Sequence, residues 1–525
     1  MSINTSSGIT RTGITLLLTL SGLACSANAQ WLDDSTMHVT VADGEGEQVQ
    51  PKIVAAPDGG SYVSWYSSLS GYDVRLQRLD ADGNEMWAHN GILIADRGFS
   101  STQDYDLAVD TSGHAVLAFR DDRFGGTKIT VQRVAPDGST PWGANGVQFA
   151  NGTDFVASPD IATTSEGGSV VAWGNESDTN LAGIGADGTV QWNSTISHPT
   201  GGTAIVASMH GADNGSVIIS WVQYVSFLGP KHLYAQKIDN TGAEEWASRA
   251  AVYDGGSLQF GNFPEFIGDG SGGALFSWYD TANSLNVYAQ RVASDGTEMY
   301  PHNGASVSTN ARQRVAPSIA FHPETGLTGV AWVELDNNQG SSGIYAQMLD
   351  ASGNRMLGDS GVVVSAIDSN ESGTPTAQML SGNLAVMWIE NSGVFGQDRV
   401  LASGIDASGG DVFGGTVEVA SDLAYRARLT STLNSARDNM IAAWQIGDFG
   451  VADIETHNLN PDGTIGAAAG CDADFTGDGT LDIFDVFAFL DAFNAGDPAA
   501  DFTGDGSYDI FDVFAFLDAF NAGCP

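Results

Sequence analysis

An all-β ring of eight four-stranded blades, an eight-bladed β-propeller, followed by a small α-helical module, is the fold this chain predicts. Three observations predict it. A strand ending in an aromatic residue recurs eight times between residues 61 and 444. Each copy is followed by a turn glycine, and these glycines lie 50 to 57 residues apart. The C-terminus then carries a near-perfect duplication with an offset of 27 residues. A period of this length with several short strands per repeat is the signature of propeller blades. The composition agrees: 66 glycines in 525 residues, and few Lys or Arg, suit many tight turns better than long helices.

The chain begins with an export signal. Arg11 precedes an apolar run from Ile14 to Ala24, and Ala27-Asn28-Ala29 supplies a small-residue cleavage site, so residues 1–29 read as a signal peptide cut after Ala29. The run is too short to span a bilayer comfortably, and no other segment is long and apolar enough to do so. Cys25 raises a lipoprotein alternative, which ranks behind cleavage because Gly22 stands where a leucine is expected. The protein is therefore expected to be secreted or attached to the cell surface.

Residues 30–470 are expected to form the propeller. The aromatic strands end at Trp65, Phe119, Trp173, Trp221, Trp278, Trp332, Trp388 and Trp444. These aromatics are expected to pack between blades rather than to stack on a ligand. Before each lies another strand, such as PKIVA, PDIAT or PSIAF; after each comes a third, such as VYAQRV or IYAQML. The turn glycines are Gly83, Gly138, Gly188, Gly242, Gly296, Gly353, Gly409 and Gly463, and a short fourth strand follows most of them. The last repeat lacks that fourth strand. The spare one lies at the other terminus, where Trp31 and Met37 to Ala42 align with Trp87 and Ile92 to Ala95. The N-terminal strand is expected to complete the last blade and shut the ring, which removes exposed strand edges. An open β-solenoid, or seven blades with one divergent repeat, are the alternatives.

The formal charge of −43 argues against nucleic acid and anionic membranes as partners. The propeller carries no motif for nucleophilic catalysis, zinc or phosphate binding. Its nine histidines form no metal spacing and are expected at surface or turn positions. Acids follow the aromatic strand in several repeats: Asp121, Asp122, Glu176, Asp280, Glu334 and Glu390. One expectation gathers them near the central channel, where they would bind a cation or act as acid and base on a glycoside; the other leaves them as solvated loop acids.

The C-terminal duplication carries the clearest chemistry. DFTGDGTLDIFD and DFTGDGSYDIFD place oxygen side chains at loop positions 1, 3, 5, 9 and 12, a backbone carbonyl at position 7 and glycine at position 6, the pattern of an EF-hand calcium loop. The ligands are Asp474, Thr476, Asp478, Thr480, Asp482 and Asp485 in the first copy. In the second they are Asp501, Thr503, Asp505, Ser507, Asp509 and Asp512. Residues 471–525 contain twelve Asp and no Lys, Arg or Glu, so the cluster calls for hard divalent cations, two calcium ions. Val486, Phe487, Leu490 and Phe493 recur at helical spacing, so each loop leads into an amphipathic helix. Cys471 and Cys524 bracket the module and read as a disulfide, worth about 4 kcal/mol in the chain-entropy account.

This duplicated segment resembles a dockerin, and its flanking cysteines make it similar to the GC-type dockerins of secreted planctomycete proteins. The resemblance covers about the last tenth of the chain. It implies a calcium-dependent docking module that attaches its carrier to a cohesin-like or other cell-surface protein. In that family, loop positions 10 and 11 help face the partner; here they are Ile483-Phe484 and Ile510-Phe511, in place of the small hydroxyl residues common there. The expected function is recognition and display, with a propeller of unknown ligand carried on the module. The competing class is a polysaccharide-degrading glycoside hydrolase with its active site on the propeller.

Overall fold

The computed structural model describes residues 31–69, 71–98, 105–152, 155–281, 285–368, 370–467, 473–476, 481–503 and 506–522. The signal segment, Cys25, Cys471, Cys524, Asp478, Thr480 and Asp505 lie outside the described residues. Thirty-two strands form eight separate four-stranded antiparallel sheets. In blades 1 to 7 the four strands pair in chain order, so each blade is a simple meander. The first strand of each blade packs beside the first strand of the next around the axis. The fold is an eight-bladed propeller followed by two helices, α1 (Ile483–Ala495) and α2 (Ile510–Ala522). No helix among the described residues is long and apolar enough to cross a membrane.

Second strands such as Ser61–Ser67 are buried along their whole length. They lie mid-blade with a neighbouring blade on either face, so both sets of alternating side chains are covered. Trp65, Trp221, Trp278, Trp332, Trp388 and Trp444 are at most 1% exposed, and Phe119 is fully buried. The aromatics are core, as expected. The recurring glutamine of the third strand also has a structural task. Gln77, Gln132, Gln236, Gln290 and Gln347 are buried and donate to backbone carbonyls of the following connection: Ala88, Gly143, Trp246, Pro301 and Gly358. Each satisfies carbonyls that would otherwise be orphaned against the sheet.

The turn glycines explain how blades join. Gly83 has φ +83, and a Cβ there would lie 2.6 Å from the Trp31 ring. The same clasp repeats: Gly138 lies under Trp87, Gly188 under Trp142, Gly242 under Trp192, Gly296 under Trp246, Gly353 under Tyr300 and Gly463 under Phe413. At four of these, the indole N–H donates to the carbonyl two residues before the glycine: Ala81, Pro136, Ala186 and Ser294. Each aromatic belongs to the preceding blade. Two costs therefore meet in one replacement. Gly296→Ala is expected to destabilise the propeller by roughly 2–5 kcal/mol, combining left-handed strain with overpacking. Gly125→Ala, at φ +80 with nothing within 4 Å, is expected to cost only about 1–2 kcal/mol. Denaturant unfolding of the two variants checks the difference.

Blade 8 is completed from the N-terminus. Its strands run Arg426–Asn434, Asn439–Ile446, Asp453–Leu459 and finally Val39–Ala42, with Val39 opposite Thr456 and Ala42 opposite Ile454. Here the surface placement expected of the histidines fails. His457 is 1% exposed and stacks on Trp31 at 6.0 Å, and His38 packs edge-on against Trp444. Burial, reinforced by the neighbouring His38, pushes the His457 pKa down to about 4. The folded value lies below the unfolded one, so this contribution is complete above about pH 6.5 and is lost as pH falls toward 4. His38 and Glu455 are the other titratable groups facing it. His457→Gln is expected to remove about 3 kcal/mol of acid dependence in that window, measured as a flatter melting-temperature profile against pH.

Candidate functional site

Two places gather chemistry: the axial channel and the C-terminal loops. In the channel, one position of each first strand is repeated eight times. It pairs with the residue just before the blade aromatic: Lys52 with Ser64, Asp106 with Ala118, Asp160 with Ala172, Ser208 with Ser220, Ser318 with Ala331, Thr376 with Met387 and Thr430 with Ala443. In blade 5, Phe266 pairs with Phe276, which places Glu265 at the same level. The ring thus has a charged arc in blades 1, 2, 3 and 5, and hydroxyls in blades 4, 6, 7 and 8.

The backbone is bent to present this ring. Gln50, Ser158, Ala316, Thr374 and Arg428 all have φ between 48 and 58, and each lies two residues before a ring position. The strand register shifts at the same places. Bulges of this kind re-aim side chains, and non-glycine residues at positive φ carry strain that clusters at working sites. A cavity of about 550 Å³ runs from the ring along the channel, bordered by Lys52, Asp106, Asp160, Ser208, Glu265 and Thr430.

The electrostatics of the charged arc are uneven. The Lys52 ammonium lies 2.9 Å from Asp106 and keeps 35% of its side chain exposed, so the channel is walled by protein but open along its axis. Burial works to discharge Lys52, but the Asp106 and Glu265 carboxylates outweigh it and hold its pKa above the ordinary value. Asp106 also accepts from the Ile161 backbone N–H at 3.1 Å. Asp160 is different. Burial first, then the charge of Asp106, pushes its carboxyl well above the usual range. Its Oδ1 is buried and has no hydrogen-bond partner among the described residues. One carboxyl of the ring thus has its charge opposed by burial, while its neighbour is paired with a lysine.

The acids singled out from the sequence do not form this ring. Asp121 is buried under Arg123 and Thr130, Asp280 accepts from the Tyr253 hydroxyl, and Glu334 faces Arg314 with both side chains fully buried. Glu390 pairs with Arg399, and Asp122 accepts from the Gly98 N–H. Glu176 has φ +54, in the turn between strands Ser169–Asn175 and Asp178–Ile184. These residues fix loop geometry. The channel acids Asp106, Asp160 and Glu265 were missed. For Asp160 and Glu265 the signal was positional: the residue after proline in PKI, PDI, PEF, PSI and PTA; Asp106 follows Tyr105 instead and lacks it.

In the C-terminal module, α1 and α2 begin at Ile483 and Ile510, and the duplicated residues make duplicate contacts. Asp482 caps α1 by accepting from the Phe484 N–H, and Asp485 reaches back to the Asp482 N–H. Asp509 and Asp512 do the same before α2. Asp485 Oδ1 also accepts from the Thr476 N–H at 3.0 Å and its hydroxyl at 2.8 Å; Asp512 receives the same pair from Thr503. Backbone N–H bonds, from Asp482 and Thr476 in one copy and from Asp509 and Thr503 in the other, hold both carboxyls below the ordinary range. Asp474 accepts from the Thr476 hydroxyl, and Asp501 from the Gly506 N–H. Loop positions 3, 9 and 12 are thus drawn together twice by the same bonds, while position 1 is tied to position 3 in one copy and to position 6 in the other. Every side-chain donor there is oxygen, which fits a calcium ion, and carboxylates have lone pairs to spare beyond these bonds.

The helix core differs from the spacing first read. Phe489 and Phe516 are fully buried and stack at 4.1 Å, with Phe475 and Phe502 set edge-on against them. Val486 and Phe493 pack on this cluster. Phe487 and Leu490 do not; they are 55% and 39% exposed. The α1 sequence is apolar on nearly every side, so periodicity alone could not choose the buried stripe. Ile483, Phe484, Ile510 and Phe511 are exposed as well, between 54% and 64%.

No protein-family model matches the chain, and no curated protein matches its sequence. Solved structures do. A eukaryotic initiation factor shares 10% identity over 79% of this chain and 86% of its own, at a TM-score of 0.43. An ulvan lyase, a polysaccharide lyase, shares 11% over 73% and 96%, at 0.38. An α-L-arabinofuranosidase of Fusarium graminearum complexed with arabinobiose shares 9% over 81% and 98%, at 0.37. The structural neighbours of this propeller thus include glycoside hydrolases and polysaccharide lyases. At such identities the architecture rests on the hydrogen-bonded sheets themselves.

Proposed function

We propose that the chain is an exported display protein. Its propeller holds a ligand, and its C-terminal module, loaded with two calcium ions, fastens it to a cohesin-like or other protein of the cell surface. One observation carries the attachment reading. The module has a filled aromatic core, yet leaves two equivalent apolar stripes in solvent: Ile483, Phe484, Phe487 and Leu490 on α1, and Ile510, Phe511, Phe514 and Leu517 on α2. Exposed apolar area on that scale in so small a domain marks a contact surface. Calcium, when bound, neutralises the loop carboxylates and fixes the helix starts.

Duplication gives the test its form. Phe484→Ala alone is expected to weaken capture by cell-envelope extract no more than about twofold, since either stripe serves. Phe484→Ala with Phe511→Ala is expected to abolish capture while calcium binding persists. Undiminished capture by the calcium-loaded double variant would remove these stripes from the interface.

A second reading is supported by the channel. Carboxyls in unlike settings can divide acid and base roles: burial opposes the charge of Asp160, and Asp106 is paired with Lys52, so Asp160 with Asp106 or Glu265 could cleave a glycoside. Release of reducing ends from a polysaccharide panel, lost in Glu265→Gln, would favour this reading over display.

A further inference from the structure

The channel ring is a layer of the propeller where the repeat changes chemistry from blade to blade. Its charges do not balance. Lys52 forms its ion pair with Asp106 at 2.9 Å, and no ion pair of Asp160 or Glu265 is formed among the described residues. Asp160 borders the channel cavity, and its buried Oδ1 is an acceptor with no donor among the described residues. A buried acceptor of this kind is costly unless something supplies its hydrogen bond. Hydroxyls line the cavity too: Ser208 in the blade between those of Asp160 and Glu265, and Thr430 and Ser431 in blade 8, where Thr376 Oγ1 lies 2.5 Å from Ser431 Oγ.

These features select a ligand by exclusion. An anion meets a net negative arc whose only lysine is already paired. A bare metal ion finds no group of three His, Cys, Asp or Glu converging at ligand distance among the described residues. An ammonium needs no such convergence, because it spreads three N–H donors over separate acceptors. A ligand that also carries hydroxyls would use Ser208 beside the carboxylates and the hydroxyls of blade 8. We propose that the channel binds an amino-sugar unit, with its protonated amine between Asp160 and Glu265 and its hydroxyls against Ser208, Thr430 and Ser431. The cavity of about 550 Å³ is of the size that takes a small ligand rather than a folded partner.

The inference deepens the reading of the propeller as the ligand-holding part and does not involve the C-terminal module, so the two fail separately. It has a thermodynamic mark. In the free protein, burial and Asp106 oppose the charge of Asp160. An arriving ammonium favours the ionised carboxyl, so forming the ion pair is expected to release a proton to solvent. Lys52, Asp106, Glu265 and His210 are the other titratable groups bordering the cavity.

The experiment is calorimetry on the full chain at pH 7 with glucosamine oligomers, in two buffers of different ionisation heat. Binding with release of about one proton per ligand is expected. The N-acetylated oligomer, which lacks the charge, is expected to bind at least about tenfold more weakly, and spermidine, which lacks the hydroxyls, likewise. Asp160→Asn keeps the shape of the side chain and cannot ionise; it should leave the melting temperature in place, abolish the proton release and weaken the amino sugar by about tenfold or more. Absence of binding, equal affinity for the N-acetylated oligomer or for spermidine, or binding without proton release would each overturn the assignment.

Discussion

Deleting residues 31–42 is expected to unfold the propeller, not merely to trim it. The segment supplies the whole fourth strand of blade 8, with Trp31, Val39, Val41 and Ala42 all buried. Burial of four such side chains is worth roughly 5–8 kcal/mol, a large part of the stability of a typical domain. Their loss is compounded. The Asp453–Leu459 strand becomes an open edge, Gly83 loses the ring that covers it, and the Trp31 N–H no longer reaches the Asp82 carbonyl at 2.9 Å. An exposed edge of this length invites pairing with another copy. Circular dichroism and sedimentation should show loss of the cooperative transition, or association. Trp31→Ala alone should cost about 3–5 kcal/mol. An unchanged melting temperature in the deletion would mean that the N-terminal strand does not hold the ring.

Removing calcium is expected to have the second largest effect, confined to the C-terminal module. Each loop draws its carboxylates together, and residues 471–525 hold no Lys or Arg to offset them. At free calcium about a hundredfold above the dissociation constant, each site adds roughly 2.7 kcal/mol, so two sites contribute about 5 kcal/mol. Titration of the full chain should give two calcium equivalents. Chelator should abolish a separate low-temperature transition and the helical signal of α1 and α2, while the propeller transition stays in place. Asp485→Asn and Asp512→Asn should each remove one equivalent, because each carboxylate ties its loop to the helix start. No calcium heat, or identical melting with and without chelator, would end the calcium reading.

The architecture was legible because repetition is cheap to see: eight buried aromatics recur, and seven of eight turn glycines seat an aromatic ring of the preceding blade. The channel site was hidden for the same reason. Recurring acids such as Asp121 and Glu334 recur because each clamps an equivalent loop or strand end. The ring positions, by contrast, run Lys, Asp, Asp, Ser, Glu, Ser, Thr, Thr, with no shared chemistry to catch the eye. In a repeat protein the scaffold is what stays constant, and the site is where one layer departs from it. The buried pair His38 and His457 escaped for another reason: they meet only because the two ends of the propeller share a sheet. In the helices, Phe487 and Phe489 differ in fate, one exposed and one fully buried, although both sit in an almost uniformly apolar segment.

The clasp between blades has a bearing on biosynthesis. Seven of the eight joints seat an aromatic ring of one blade on the turn glycine of the next, and the socket at Gly83 is filled by Trp31, among the first residues of the folded body to be made. Its strand, Val39–Ala42, waits for Asp453–Leu459, among the last. A growing chain folds its early domains as they emerge, but this one cannot finish until nearly all of it has been synthesised. A prematurely ended chain keeps an unspent tryptophan at one end and a strand edge bare at the other. The ring therefore proofreads its own length: only a full-length polypeptide can hide both.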